Sequence, residues 1–124
     1  MSDEPERVAA PPIEPAVAAL RMEELTLWVM QHVAKFSREH KFTLGDRLVE
    51  TCLDVTAALV DATYTRDKLA LLQGASRALT RARVLVRIAE RMSLLSARQR
   101  AYFAEVSDEV GRQVGGWAKS VRSR

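Results

Sequence analysis

The sequence is poor in the residues that build disulfide cores and membrane spans. It has one cysteine in 124 residues, so no intramolecular disulfide can form and a reducing, cytoplasmic compartment is expected. No apolar run approaches the roughly 18 residues of a membrane-spanning helix, and the acidic N-terminus does not resemble a signal peptide. These shortages predict a small cytoplasmic protein with no membrane partner.

Proline is missing from most of the chain. All four prolines lie in the first fifteen residues, together with four carboxylates and few large apolar side chains. Residues 1–15 are therefore predicted to form a flexible acidic tail that contains proline, and residues 16–124 a single helical domain.

Patterns typical of catalytic and metal sites are also missing. The Glu-x-x-His pairs that hold metal ions in helical bundles do not occur, and the sequence has no glycine-rich phosphate loop. His32 borders an apolar face and Cys52 lies within one, which is typical of packing residues. An acidic row of Asp46, Glu50 and Asp54 is spaced for one helix face, where solvation or ion pairs with the third helix are favoured over acid–base chemistry. We expect no enzyme activity, no metal and no cofactor.

The chain does have apolar residues at three- and four-residue spacing in four successive segments. Those of the first, second and fourth segments are Ala18, Met22, Leu25, Val29, Val33 and Phe36; Leu44, Leu48, Cys52, Val55, Leu59 and Ala62; and Phe103, Val106, Val110, Val114, Trp117 and Val121. This pattern predicts helices from about residue 15 to 38, and then from residues 43, 65 and 96, with 37–42 as the first connector. Thr43 with Asp46 and Ser96 with Gln99 have the spacing of capping boxes, and Thr65 is a candidate cap of the third helix. Because short connectors make neighbouring helices antiparallel, the predicted fold is all-α, an antiparallel up-down-up-down four-helix bundle.

The third helix is predicted to have two opposite faces. Its core seam repeats in heptads and consists of Leu71, Ala75, Ala78, Ala82, Leu85, Ala89 and Met92, with Leu72, Leu79 and Val86 broadening it. On a wheel of about 100° per residue, the basic residues gather on the other side. These are Arg66, Arg77, Arg81, Arg83, Arg87 and Arg91. A solubilising face usually mixes both signs, and guanidinium groups bind phosphate through two parallel hydrogen bonds, so a binding surface is favoured over a solvated face.

Two features indicate contact with another subunit. Val84 and Ile88 lie among these arginines, so the outer face of the third helix is partly apolar. The fourth helix contains a second unusual group, Gly111, Gly115, Gly116 and Trp117. Each interior glycine costs about 1 kcal/mol relative to alanine, but glycines on one face allow another backbone to come close. We therefore predict an oligomer interface at these four residues, with a frayed C-terminus as the alternative.

Three segments carry a resemblance to a known family. They are YTRDKLALL at 64–72, RVLVRIA at 83–89 and VGRQVGGWAK at 110–119, and the connector KFTLGDR at 41–47 adds to them. In this order they resemble Avd, the accessory variability determinant of diversity-generating retroelements, over about residues 20–120. The alanine-rich third helix and Ala118 depart from the family's pattern, in which a larger apolar residue is usual at the latter position.

The resemblance implies a homopentameric barrel of four-helix bundles with a basic surface and no active site. It also implies association with the element's reverse transcriptase and with its template-repeat RNA or cDNA, in support of mutagenic cDNA synthesis. The basic positions matched to the family's nucleic-acid surface are Arg83, Arg87 and Arg112. The helical wheel adds Arg77, Arg81 and Arg91 to that surface.

Two alternative functions stay open. The four-helix proteins encoded in ribosomal-RNA intervening sequences share the fold, and a structural interaction bundle would need no nucleic-acid surface. The glycine–tryptophan segment argues against the first, and the arginine face against the second. A reverse transcriptase is itself basic, so its contact with this chain needs a bridge. That bridge is either RNA or the acidic row of Asp46, Glu50 and Asp54, and we favour a mixed case that includes a direct protein contact.

Overall fold

The computed structural model describes residues 16–123 and shows four long helices packed into a bundle. Helix α1 spans Val17–Val33, α2 spans Asp46–Tyr64, α3 spans Lys68–Arg91 and α4 spans Ala97–Arg122. No strand occurs in the described residues, and the predicted all-α four-helix bundle is confirmed. The acidic tail predicted for residues 1–15 lies outside the described residues.

Neighbours along the chain are also neighbours in the bundle. Helix α2 packs against α3, α3 against α4 and α1 against α2, while contacts between α1 and α4 close the bundle. The short loops on either side of α3 make it antiparallel to both of its neighbours. Helix α3 therefore lies between α2 and α4, with one face outward.

The apolar stripes predicted for α1, α2 and α4 form the core. Their buried residues are Ala18, Met22, Leu25, Val29, Val33 and Phe36; Leu48, Cys52, Val55, Leu59 and Ala62; and Phe103, Val106, Val110 and Val114. In α3 the four alanines of the predicted seam and the three residues that broaden it are buried, whereas Leu71 and Leu85 are only half-buried and Met92 is exposed. The deepest large side chains of α3 are Leu72, Leu79 and Val86. Because α3 packs against both α2 and α4, its most buried row of side chains is the one that points between these two helices.

The first connector is shorter and earlier than predicted. Helix α1 ends at Val33, and the segment predicted as a connector contains a short helix, Arg38–His40, that continues as a π-helix, Lys41–Gly45, into α2. At Gly45 a Cβ atom would lie 2.7 Å from Cγ1 of Val33. The missing side chain therefore lets this turn pack directly on the end of α1, an approach that periodicity alone does not indicate.

Two of the three predicted caps are wrong. The Thr43 hydroxyl donates to the carbonyl of Glu39 at 3.2 Å, so it bonds backward within helical turns and opens no helix. Thr65 follows the end of α2, where the ammonium of Lys68 donates to its carbonyl at 2.8 Å, and α3 begins only at Lys68. A lysine at a helix C-terminus satisfies carbonyls that have no helical partner, as Lys68 does here for the last turn of α2. The N-cap position of α3 is held by Asp67 and not by Thr65, and no side-chain hydrogen bond caps it.

The third cap is confirmed. Ser96 Oγ accepts from the backbone N–H of Gln99 at 3.0 Å, and the Gln99 side chain accepts from the N–H of Ser96 at 2.8 Å. Both hydrogen bonds of the capping box are therefore present at the start of α4.

Candidate nucleic-acid interface

The arginines of α3 fall into two sets that point in different directions. Arg77, Arg81 and Arg91 are exposed on the outer face of α3, opposite the core line. Arg83 and Arg87 lie to one side and line the surface between α3 and α4. The helical wheel predicted one common face for all of these arginines. In the structure, only the pair beside α4 lines a surface between two helices.

Arg83 is held in place by α4. Its Nε donates to Oγ of Ser107 at 3.2 Å, and its Nη2 donates to the carbonyl of Ser107 at 2.9 Å. The same Nη2 lies 3.4 Å from a carboxylate oxygen of Asp108, and only 29% of the Arg83 side chain is exposed. Arg83 therefore bridges α3 and α4. The helical wheel had predicted that it points freely outward, and that prediction is wrong.

Small residues on α4 make room for this bridge. Ala104 and Ser107 lie beneath the arginines, and at Gly111 a Cβ atom would come within 2.9 Å of Nη2 of Arg83. The glycine pattern of α4 predicted a subunit interface at Gly111 and did not indicate a role for Ser107 or Asp108. Small residues at positions 104, 107 and 111, on one face of a helix, were the available signal.

A basic groove runs between α3 and α4. We define it by its four arginines, Arg83, Arg87, Arg100 and Arg112, which line two adjoining depressions. Two carboxylates face them: Asp108 beside Arg83, and Glu90, whose Oε1 accepts from Nε of Arg100 at 3.0 Å. Arg87 and Arg112 are exposed, and neither forms an ion pair within residues 16–123. The groove thus offers two fixed and two available guanidinium groups, and Arg100 is a member that the sequence analysis missed.

The remaining glycines of α4 lie in a different environment. At Gly115 and Gly116 a Cβ atom would meet no atom within 4 Å, and both residues are exposed. Trp117 is half-buried and packs against the core. Of the predicted oligomer interface, Gly111 is used inside the protomer, while Gly115 and Gly116 leave an open strip on the surface.

Comparison with known families decides between the possible assignments. A family model described as bAvd-like matches residues 16–121, a range that includes the four helices, except the last residue of α4, and the whole basic groove. The chain belongs to the bAvd-like family. No curated protein and no solved structure matches it. The Avd resemblance is thereby confirmed, and the bAvd-like family is not a known enzyme family.

The described part of this bAvd-like chain was also compared with the requirements of a metal site, a membrane span and a reactive thiol. Residues 16–123 hold no cluster of three or more His, Cys, Asp or Glu side chains suited to a metal ion. None of the helices in this range is long and apolar enough to cross a membrane. Cys52 is buried in the core, where desolvation raises the pKa of its thiol to about 12 and leaves it un-ionised at neutral pH.

The acidic row lies on the other side of α3, along α2. Asp46, Glu50 and Asp54 are exposed, and within residues 16–123 none of them forms an ion pair. Of the two expectations, the solvated face is observed and pairing with the third helix of the same bAvd-like protomer is not.

Gly111 and Gly115 should respond differently to replacement by alanine, because a Cβ atom meets Arg83 at the first and no atom within 4 Å at the second. Gly115→Ala should stabilise the protein by about 1 kcal/mol, because alanine favours helix and its Cβ meets nothing. Gly111→Ala gains the same propensity but displaces Arg83 from hydrogen bonds worth about 1–3 kcal/mol. We expect urea unfolding to show Gly111→Ala no more stable than the wild type. Equal stabilisation by both substitutions would contradict the assigned role of Gly111.

Proposed function

We propose that this bAvd-like protein is a non-enzymatic accessory protein of a diversity-generating retroelement. In this role it binds the element's template RNA or cDNA and its reverse transcriptase, and so supports mutagenic cDNA synthesis. The observation that carries the proposal is the basic groove, in which Arg87 and Arg112 have no ion-pair partner among residues 16–123. The family assignment favours this role over the two alternatives.

The chemistry of the groove suits phosphate better than bases. The planar fork of an arginine donates two parallel hydrogen bonds to two phosphate oxygens at once, and the forks of Arg87 and Arg112 are not engaged by a carboxylate within residues 16–123. The aromatic ring that lines the groove in the described structure, Phe103, is buried and offers no face for stacking on a base. Contacts confined to phosphate position a nucleic acid without reading its sequence, so we expect little sequence preference.

Self-association would strengthen such binding. A homo-oligomer, five-fold in the Avd family by resemblance, places several copies of the basic groove on one particle. Several weak phosphate contacts on one RNA then act as linked binding events, which raises the overall affinity without any new contact. We propose that this protein works as such a homo-oligomer.

Co-purification with the reverse transcriptase tests the proposal. The chain and the transcriptase of the same element would be co-expressed, one of them tagged, and purified with and without nuclease. A complex that dissolves on nuclease treatment identifies RNA as the bridge, whereas a complex that survives identifies a direct protein contact. Either result supports the accessory role, and the absence of any complex under both conditions would contradict it.

A further inference from the structure

Two exposed stripes on neighbouring helices share one pattern with opposite charge. The acidic stripe, on α2, consists of Asp46, Glu50, Leu53, Ala57 and Asp61. The basic stripe, on α3, consists of Arg77, Arg81, Val84, Ile88 and Arg91. Each has two charged residues, two apolar residues and one charged residue at three- or four-residue spacing, which places all five on one helix face.

The centre of each stripe is an unusual place for apolar side chains. Leu53, Val84 and Ile88 are 45%, 39% and 41% exposed, although each is flanked by charged residues on an outward face. The flanking charges form no ion pair within residues 16–123. Exposed apolar residues rimmed by unpaired charges are typical of a protein contact.

These apolar residues also argue against nucleic acid as the occupant of the basic stripe. Val84 and Ile88 separate Arg81 from Arg91 and would face the charged backbone of RNA without any favourable contact. The basic groove has no comparable exposed apolar centre, because Phe103 and Val86 are buried there. The two arginine sets therefore suit different partners.

We propose that the acidic stripe of one copy docks on the basic stripe of a second copy of this chain. The inference rests on the self-association proposed above and assigns it to α2 and α3, and not to the glycines of α4. Leu53 and Ala57 cover Val84 and Ile88 at the centre, while carboxylates meet guanidinium groups at both ends. Because charges flank the apolar centre in both stripes, the match holds with the two helices running in either relative direction.

The position of the stripes favours a closed ring. A contact between two different patches is heterologous, and it forms a ring where the rotation between successive copies closes and an open filament where it does not. Since α2 and α3 are adjacent in the bundle, their outward stripes face adjacent sides of the protomer and not opposite sides. Successive copies are thus turned, and the basic groove between α3 and α4 stays outside the contact.

Charge reversal with rescue tests the docking. Asp46→Arg/Glu50→Arg/Asp61→Arg and Arg77→Glu/Arg81→Glu/Arg91→Glu should each reduce the mass measured by light scattering, at low micromolar concentration, to the 13.9 kDa of a single chain. The chain that carries all six changes has reversed but complementary stripes and should recover the wild-type mass. A monomeric wild type, wild-type mass in both triple variants, or a six-fold variant that stays monomeric overturns the proposal.

Two single substitutions test the same contact with less risk of unfolding the protein. Ile88→Ser should raise the monomer fraction at low concentration, whereas Leu27→Ser, at an exposed residue of α1 outside both stripes, should not. Circular dichroism should stay helical in both. Arg87→Glu/Arg112→Glu should keep the wild-type mass, and a monomer there would overturn the separation of docking from nucleic-acid binding. The co-purification assay reads the accessory role independently, so failure of docking and failure of the proposed function are distinguishable.

Discussion

Replacing Arg87 and Arg112 together by glutamate is expected to lower the affinity for RNA about a hundredfold. Each guanidinium is exposed in the basic groove and free of ion pairs within residues 16–123, so its charge is available to phosphate. A hydrogen bond to a charged group contributes about 1.5–3 kcal/mol, and two such losses correspond to two or more decades in the dissociation constant. Fluorescence anisotropy with a labelled single-stranded RNA at low salt measures the effect.

The design of this variant follows from the structure. Arg83 is left in place because glutamate there would lie beside Asp108 and lose the hydrogen bonds to Ser107, which would change stability as well as charge. The matched control is Lys35→Glu/Arg38→Glu, an equal change in net charge at exposed positions of the first connector. An equal loss of RNA binding in both double variants would show that net charge, and not the groove, governs affinity.

Truncation of Phe103 to alanine is expected to cost about 3–5 kcal/mol of unfolding free energy. Its ring is 1% exposed and is among the largest fully buried side chains, so the substitution leaves a cavity that the bundle fills only in part. Phe103 also lines the basic groove, where it supports the surface that carries Arg83 and Arg87. Urea unfolding followed by circular dichroism measures the loss.

The neighbouring aromatic provides the control for this truncation. Tyr102 is 38% exposed, and its ring centroid lies 5.0 Å from that of Trp28. Tyr102→Ala should cost only about 0.5–1.5 kcal/mol, the usual contribution of such an aromatic pair. If Phe103→Ala cost no more than Tyr102→Ala, the placement of Phe103 in the core would be wrong.

Most of the fold could be predicted from the sequence because helix periodicity reports burial directly. The lines through Met22, Leu48 and Phe103 are buried as their spacing predicted, and the Ser96–Gln99 box starts α4. The π-helical turn before α2 could not be predicted in this way. It depends on the approach of Gly45 to Val33, which becomes visible only when α1 and α2 are placed together.

The candidate site was predicted less completely, because a helical wheel shows one helix at a time. The wheel grouped Arg83 with Arg77 because both lie away from the seam. In the folded bundle, however, Ser107 and Asp108 of α4 contact Arg83, and none of the described residues of α4 binds Arg77. The wheel also omitted Arg100, which belongs to another helix and meets the groove only in the folded bundle. Packing against α4 therefore distinguishes Arg83 and Arg87 from the outward Arg77, Arg81 and Arg91.

The most direct measurement for the central claim is the salt dependence of RNA binding by the wild-type protein. Binding through phosphates releases counterions, at about 0.7 per phosphate for single strands, so the two available arginines of one copy, Arg87 and Arg112, predict a log–log slope of about −1.4 or steeper. We expect the affinity for single-stranded RNA to fall steeply between about 50 and 200 mM salt. An affinity that does not change with salt, or no binding even at the lowest concentration, would contradict a nucleic-acid role for the basic groove.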